Sequence, residues 1–191
     1  MAHKRPGGGL PALLLPLVIT AMDIRAETVN TVVCGVPYSI MYAIASNERH
    51  IDRDIGYPYL ISMNTKRGKR FARKHYPDLM LDGRTIDCQN AQRCGDIAKK
   101  LLDAGVTNID LGAFQINYKY HPGPLAEFFD LSKSYAKACN YVEKLARDYG
   151  WSWATVGMYH SFTPTYRNRY AKNAYNTYLK ILQQGESVEK Q

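Results

Sequence analysis

Beyond its first segment the sequence has no apolar run long enough to cross a bilayer, no C-x-x-C pair, no internal repeat and no stretch that reads as an interdomain linker. The first absence argues against a membrane-spanning chain once that segment is removed. The second argues against zinc, because His50, His75, His121 and His160 also fall in no ligand spacing. A zinc site is therefore not expected. Collagen-like and low-complexity composition is missing too. With 46% hydrophobic and 22% charged residues, the 191-residue chain has the balance of one folded domain rather than a disordered one. Its fifteen tyrosines are many, and suit a core or a stacking surface.

The first segment differs from the rest. Lys4 and Arg5 precede LPALLLPLVITA (Leu10 to Ala21), a run too short to span and broken by Pro11 and Pro16, and Ile24-Arg25-Ala26 follows as a cleavage site. Residues 1–26 read as a secretory signal, with an uncleaved anchor as the alternative. Val33 stands before Cys34 where a lipoprotein cysteine needs a small residue. Cleavage after Ala26 removes three cations (Lys4, Arg5, Arg25) and one acid (Asp23), lowering the formal charge from +8 to +6. A basic exported chain favours anionic partners: cell-wall polymer, lipid headgroups or nucleic acid. The export signal makes nucleic acid the weakest of these. The four cysteines fit two disulfides. Of three possible pairings, the favoured one closes the short loop Cys88–Cys94 and joins Cys34 to Cys139 across the fold.

The coarse pattern predicts helices over 37–50, 91–104, 132–149, 152–161 and 164–182, with Pro37 and Pro164 in first turns and Ser132 and Thr163 as caps. Residues 57–63 are extended, and Asp82-Gly83 predicts a tight hairpin. Residues 64–75 hold a basic cluster: Lys66, Arg67, Lys69, Arg70, Arg73 and Lys74. Asp110 to Asn117 reads as a turn running into a short helix. The expected fold is mainly α (α+β), a helical domain over 27–182 with a small β-hairpin insertion near 57–88 and a polar tail at 183–191.

Three segments carry chemistry. Glu48 follows Met41 and Ile44 at helical spacing, so its carboxyl loses hydration and its pKa rises, as a general acid requires. The alternative is a helix-end glutamate paired with Arg49 or Arg53. In Gly112-Ala113-Phe114-Gln115-Ile116-Asn117, the glycine admits close approach, and the amides of Gln115 and Asn117 suit sugar hydroxyl and acetamido groups. A simple packed turn is the alternative. Met158-Tyr159-His160-Ser161 precedes a helix on which Tyr166 and Tyr170 share a face, and tyrosine rings fit sugar rings; ordinary packing is again the alternative. Adjacent helical residues do not face each other, so His160-Ser161 is no nucleophilic pair. Asp52, Asp54 and Asp110 are the candidates for a second carboxylate, Asp52 reading as a solvated helix-end charge and Asp110 as the cap of the following turn.

In order, these segments resemble the lysozyme-like lytic transglycosylase family, and within it the small specialised enzymes that accompany secretion or conjugation machines. Ala43-Ile44-Ala45-Ser46-Asn47-Glu48 resembles the helix ending in the catalytic glutamate. Leu111 to Asn117 resembles the Gly-Leu-Met-Gln block, and Met158 to Ser161 stands where Ala-Tyr-Asn-Ala-Gly belongs. The match spans about residues 34–182. Arg49 replaces the usual serine, Ala113-Phe114 replace Leu-Met, and His160 replaces asparagine.

The resemblance implies a lysozyme-like fold and a periplasmic monomer acting on peptidoglycan glycan strands, in the service of a secretion or conjugation apparatus. It implies cleavage of the β-1,4 bond between N-acetylmuramic acid and N-acetylglucosamine with 1,6-anhydro ring closure. Glu48 would be acid and then base, with no metal or other cofactor needed. Gln115, Asn117 and Tyr159 would bind substrate, and Tyr170 would line the cleft. A non-catalytic peptidoglycan-binding scaffold and a lysozyme-type hydrolase are the alternatives.

Overall fold

The computed structural model describes residues 34–188, with side chains described through 183. The expected signal at 1–26 and the end of the expected tail lie outside the described residues. The elements run in the order α1 (Tyr38–Glu48), β1 (Leu60–Met63), α2 (Lys66–His75), a 3₁₀ turn (Pro77–Leu79), β2 (Thr85–Asp87) and α3 (Ala91–Asp103). Then follow β3 (Ile109–Leu111), β4 (Ile116–Asn117), α4 (Leu125–Phe128), α5 (Leu131–Tyr149), α6 (Trp153–Met158) and α7 (Pro164–Val188). The described chain is mainly helical, with one small antiparallel sheet of order β2-β1-β3-β4. No helix among the described residues is long and apolar enough to cross a membrane.

Two expectations about the sheet are corrected. The hairpin at Asp82-Gly83 amounts to one bridge, Met80 to Ile86, because Asp82 Oδ1 accepts from the amides of Arg84 and Thr85 and turns the chain early. Strand β2 then pairs with β1 across the α2 insertion. Asp110 to Asn117 is a strand–turn–strand, not a turn into a helix. Gly112 (φ +75°) and Gln115 (φ +44°) both take the left-handed region and fold β4 back on β3. A Cβ at Gly112 would collide with the Phe128 carbonyl, so space as well as backbone requires glycine there.

The helices keep their places with shifted ends. Asp130, not Ser132, caps α5, since its side chain accepts from Lys133 N at 2.9 Å. Helix α1 ends at Glu48, short of the expected 50, and Ile51 beyond it is exposed. Helix α7 passes its expected end at 182 and reaches Val188.

One core joins these elements. Ile61, Met63, Ile86, Ile109 and Leu111 face inward from the sheet onto Ile97 and Leu101 of α3, Met41 and Ile44 of α1, and Val142 of α5. Each such side chain is worth about 1.5–3 kcal/mol when fully buried. Helix α1 packs chiefly on α7, on which Ala171 and Ala174 are buried. At Gly157, α6 approaches α7 so closely that a Cβ would meet the Arg167 carbonyl. Disulfides join Cys34 to Cys139 and Cys88 to Cys94. The first ties the chain ahead of α1 to α5; the second closes the corner between β2 and α3.

Candidate active site

Strand residues alternate faces, so the inward set Ile61, Met63, Ile109 and Leu111 leaves its neighbours on the opposite face. Register then aligns Thr85, Ser62, Asp110 and Asn117 in one row across all four strands. Thr85 and Ser62 share a hydroxyl contact at 3.2 Å. Asp110 is held from three sides: Asn117 Nδ2 donates at 2.6 Å, Asn64 Nδ2 at 2.8 Å and Arg84 Nη2 at 3.1 Å. This polar row is one wall of a cleft of about 930 Å³. Tyr141, Lys144 and Tyr149 of α5 and the segment Met158 to Phe162 also line it.

Glu48, the last residue of α1, lines the same cleft. Two tethers fix the end of this helix. Asn47 Nδ2 donates to the Tyr170 carbonyl at 3.3 Å. In the loop that follows, Arg53 donates to Asp87 Oδ2 through Nε at 2.7 Å and Nη2 at 2.5 Å, and Tyr57 donates to Oδ1 at 2.8 Å. Asp87 is buried and also accepts from the Gln89 amide, so its whole acceptor set is engaged.

The two cleft carboxyls differ in their surroundings. Glu48 keeps an accessible edge as part of the cleft floor, yet its carboxyl lies deep among protein atoms. That burial pushes its pKa from the usual 4.5 to about 8. The nearby Tyr170 hydroxyl offsets part of the rise, Asp110 adds to it by like-charge repulsion, and Arg84 opposes it. Asp110 is also raised by burial, but its two amide donors and Arg84 favour its charged form. The arrangement sets Glu48, with little hydrogen bonding to offset its burial, beside Asp110, which accepts from three donors.

Glu48, Gln115, Asn117 and Tyr159 all line the cleft; Tyr170 does not. Tyr170 is buried where α7 packs on α1, and its hydroxyl lies near the Glu48 carboxyl without a hydrogen bond of full geometry. Its place is beneath the cleft wall rather than on it. The other polar groups are largely engaged within the protein. Tyr159 Oη donates to the Phe114 carbonyl at 2.8 Å, and Gln115 Nε2 donates to the Gly112 carbonyl at 2.8 Å. Asn117 donates to Asp110 and to Asn108 Oδ1. Gln115 thus retains its side-chain carbonyl for a ligand, while Asn117 and Tyr159 brace the wall.

Asp110 does not cap the following turn, because its oxygens face side-chain amides and a guanidinium. Its neighbours Asn64 and Arg84 come from distant segments, so the sequence hides this role. The one local clue is the alternation of Asn108 and Asp110 with buried Ile109 and Leu111. His160 lines the cleft with its ring stacked on Tyr170 (5.1 Å, 7° between planes), and burial lowers its pKa, so it stays neutral near pH 7. Asp52 is exposed in the loop after α1 and approaches His50 at 3.6 Å. Comparison of the chain with protein-family models, curated proteins and solved structures gave no match.

Proposed function

We propose that this chain is an exported, lysozyme-like lytic transglycosylase that cleaves the β-1,4 bond between N-acetylmuramic acid and N-acetylglucosamine. The observation that carries this reading is Glu48: a carboxyl whose burial pushes its pKa up to about 8, in a cleft it shares with the hydrogen-bonded Asp110. A glycosidic oxygen needs a proton donor as its bond to C1 breaks, and an acid with a pKa near the working pH supplies it best. Tyr120, Tyr149 and Phe162 line the cleft with exposed ring faces, the surfaces on which sugar rings pack.

Glu48 protonates the bridging oxygen, and the N-acetylglucosamine side leaves as an alcohol. The acetamido oxygen of the muramic ring shields the positive C1 centre, and the negative charge of Asp110 stabilises it electrostatically. The C6 hydroxyl then attacks C1 and gives its proton to the Glu48 carboxylate, which restores the acid and closes the 1,6-anhydro ring.

Asp110 also favours a second reading. Two carboxyls in one cleft suit a glycoside hydrolase, in which Asp110 would stabilise or attack C1 and water would complete the reaction. Mass spectrometry of fragments released from purified sacculi separates the two. Anhydro ends, lost with Glu48→Gln, fit the transglycosylase. Reducing ends, lost with either Glu48→Gln or Asp110→Asn, fit the hydrolase. No release of either kind, where a control enzyme works, refutes both.

A further inference from the structure

Helix α2 leaves the cleft wall directly after Asn64, and the chain that follows it returns to the same wall at Asp82 and Arg84. The helix is therefore an insertion rooted in the cleft's polar side. Its buried residues are Gly68 and Ala72, which seat it against Met63 and Val106. At roughly 100° per residue, Lys66, Arg67, Lys69, Arg70, Arg73 and Lys74 fall within about 160° of the opposite side. The helix contains no acidic residue. Among the described residues none of these six cations forms an ion pair, and only Arg67 is engaged by a hydrogen bond, donating to the Ala104 carbonyl at 2.6 Å. Neighbours three and four apart along this face repel one another.

We propose that this face of α2 binds the anionic peptide stems of the peptidoglycan strand whose glycan lies in the cleft. The inference rests on the glycan-cleaving reading of that cleft. Charge complementarity selects the ligand, because free stem carboxylates are the negative groups such a strand carries beside its sugars. Position supports it, since both ends of the insertion join the cleft wall. The face presents no exposed apolar side chain, so nothing on it would insert into a bilayer. The stems give the unpaired cations their counter-charges and hold the strand beside the cleft between cleavage events.

The test compares the full-length protein with Lys66→Gln/Arg70→Gln/Arg73→Gln/Lys74→Gln on two solids: intact sacculi, and the same glycan stripped of peptides by an amidase with the lactyl carboxylates this frees capped as methylamides. Sedimentation gives binding, released fragments give cleavage, and circular dichroism checks the fold. The expected result is binding to intact sacculi weakened roughly tenfold or more in the variant at low salt, the gap closing as salt rises. Stripped glycan is then bound and cleaved equally by both proteins. Equal binding of both proteins to intact sacculi overturns the proposal while leaving the cleavage reading standing. Loss of binding to phosphatidylglycerol vesicles with sacculus binding unchanged also overturns it and assigns the face to lipid. Failure of both proteins to cleave either solid overturns the enzymatic reading instead.

Discussion

Replacing Glu48 with Gln keeps the side chain's shape and removes its ionisation, so the variant isolates the cost of placing a carboxyl where the fold places it. Below pH 4.5 the carboxyl is protonated in both folded and unfolded chains and adds no pH dependence. Between 4.5 and about 8 the unfolded chain releases the proton while the folded chain keeps it, so wild-type stability falls as pH rises. The slope is at most about 1.4 kcal/mol per pH unit. Over the whole interval this gives about 5 kcal/mol as an upper bound, and the solvent at the cleft edge reduces it to about 2–3 kcal/mol. The Gln variant lacks this loss. Urea denaturation at pH 4, 6 and 8 should therefore show the variant gaining about 2–3 kcal/mol over wild type between the first and the last pH. A stability gap that stays constant from pH 4 to 8 would refute the argument, because it would mean that Glu48 ionises as freely in the fold as outside it.

Three further outcomes are expected. Asp110→Asn removes a like charge near Glu48, so the alkaline limb of the kcat/KM profile should move to lower pH. Asp87→Ala strips Arg53 and Tyr57 of their shared acceptor and should cost about 2–3 kcal/mol in chemical denaturation, loosening the loop after Glu48. Cys34→Ser with Cys139→Ser opens a link spanning 105 residues and should cost about 3–5 kcal/mol, read as a fall in denaturation midpoint under oxidising conditions.

The sequence was most legible where a long element repeats its own pattern. Helices α3, α5 and α7 lie close to where apolar spacing places them, with ends displaced by a residue or two except at the C-terminus of α7. The Asp110 to Asn117 segment misled because strands of three and two residues are too short to display alternation, and because Gln115 turns the chain in a backbone region that its residue type does not advertise. Asp130 precedes a better-looking cap, Ser132, and only geometry decides between them. Glu48 could be singled out because Met41 and Ile44 stand on its own helix. The acceptor role of Asp110 depends on Asn64 and Arg84, brought alongside by sheet pairing that no local pattern encodes. Tyr170 is buried against α1 where the sequence shows only that it shares a helix face with Tyr166, since helical spacing gives a face and not what packs on it.

The packing of α1 on α7 also imposes an order in time. Glu48 stands near the start of the described chain, while the tyrosines that enclose it, Tyr159 and Tyr170, are made more than a hundred residues later. Until that last helix is in place, Glu48 lacks part of the burial that raises its pKa. A truncation within α7 should therefore return the Glu48 pKa toward its ordinary value even where the sheet stays folded.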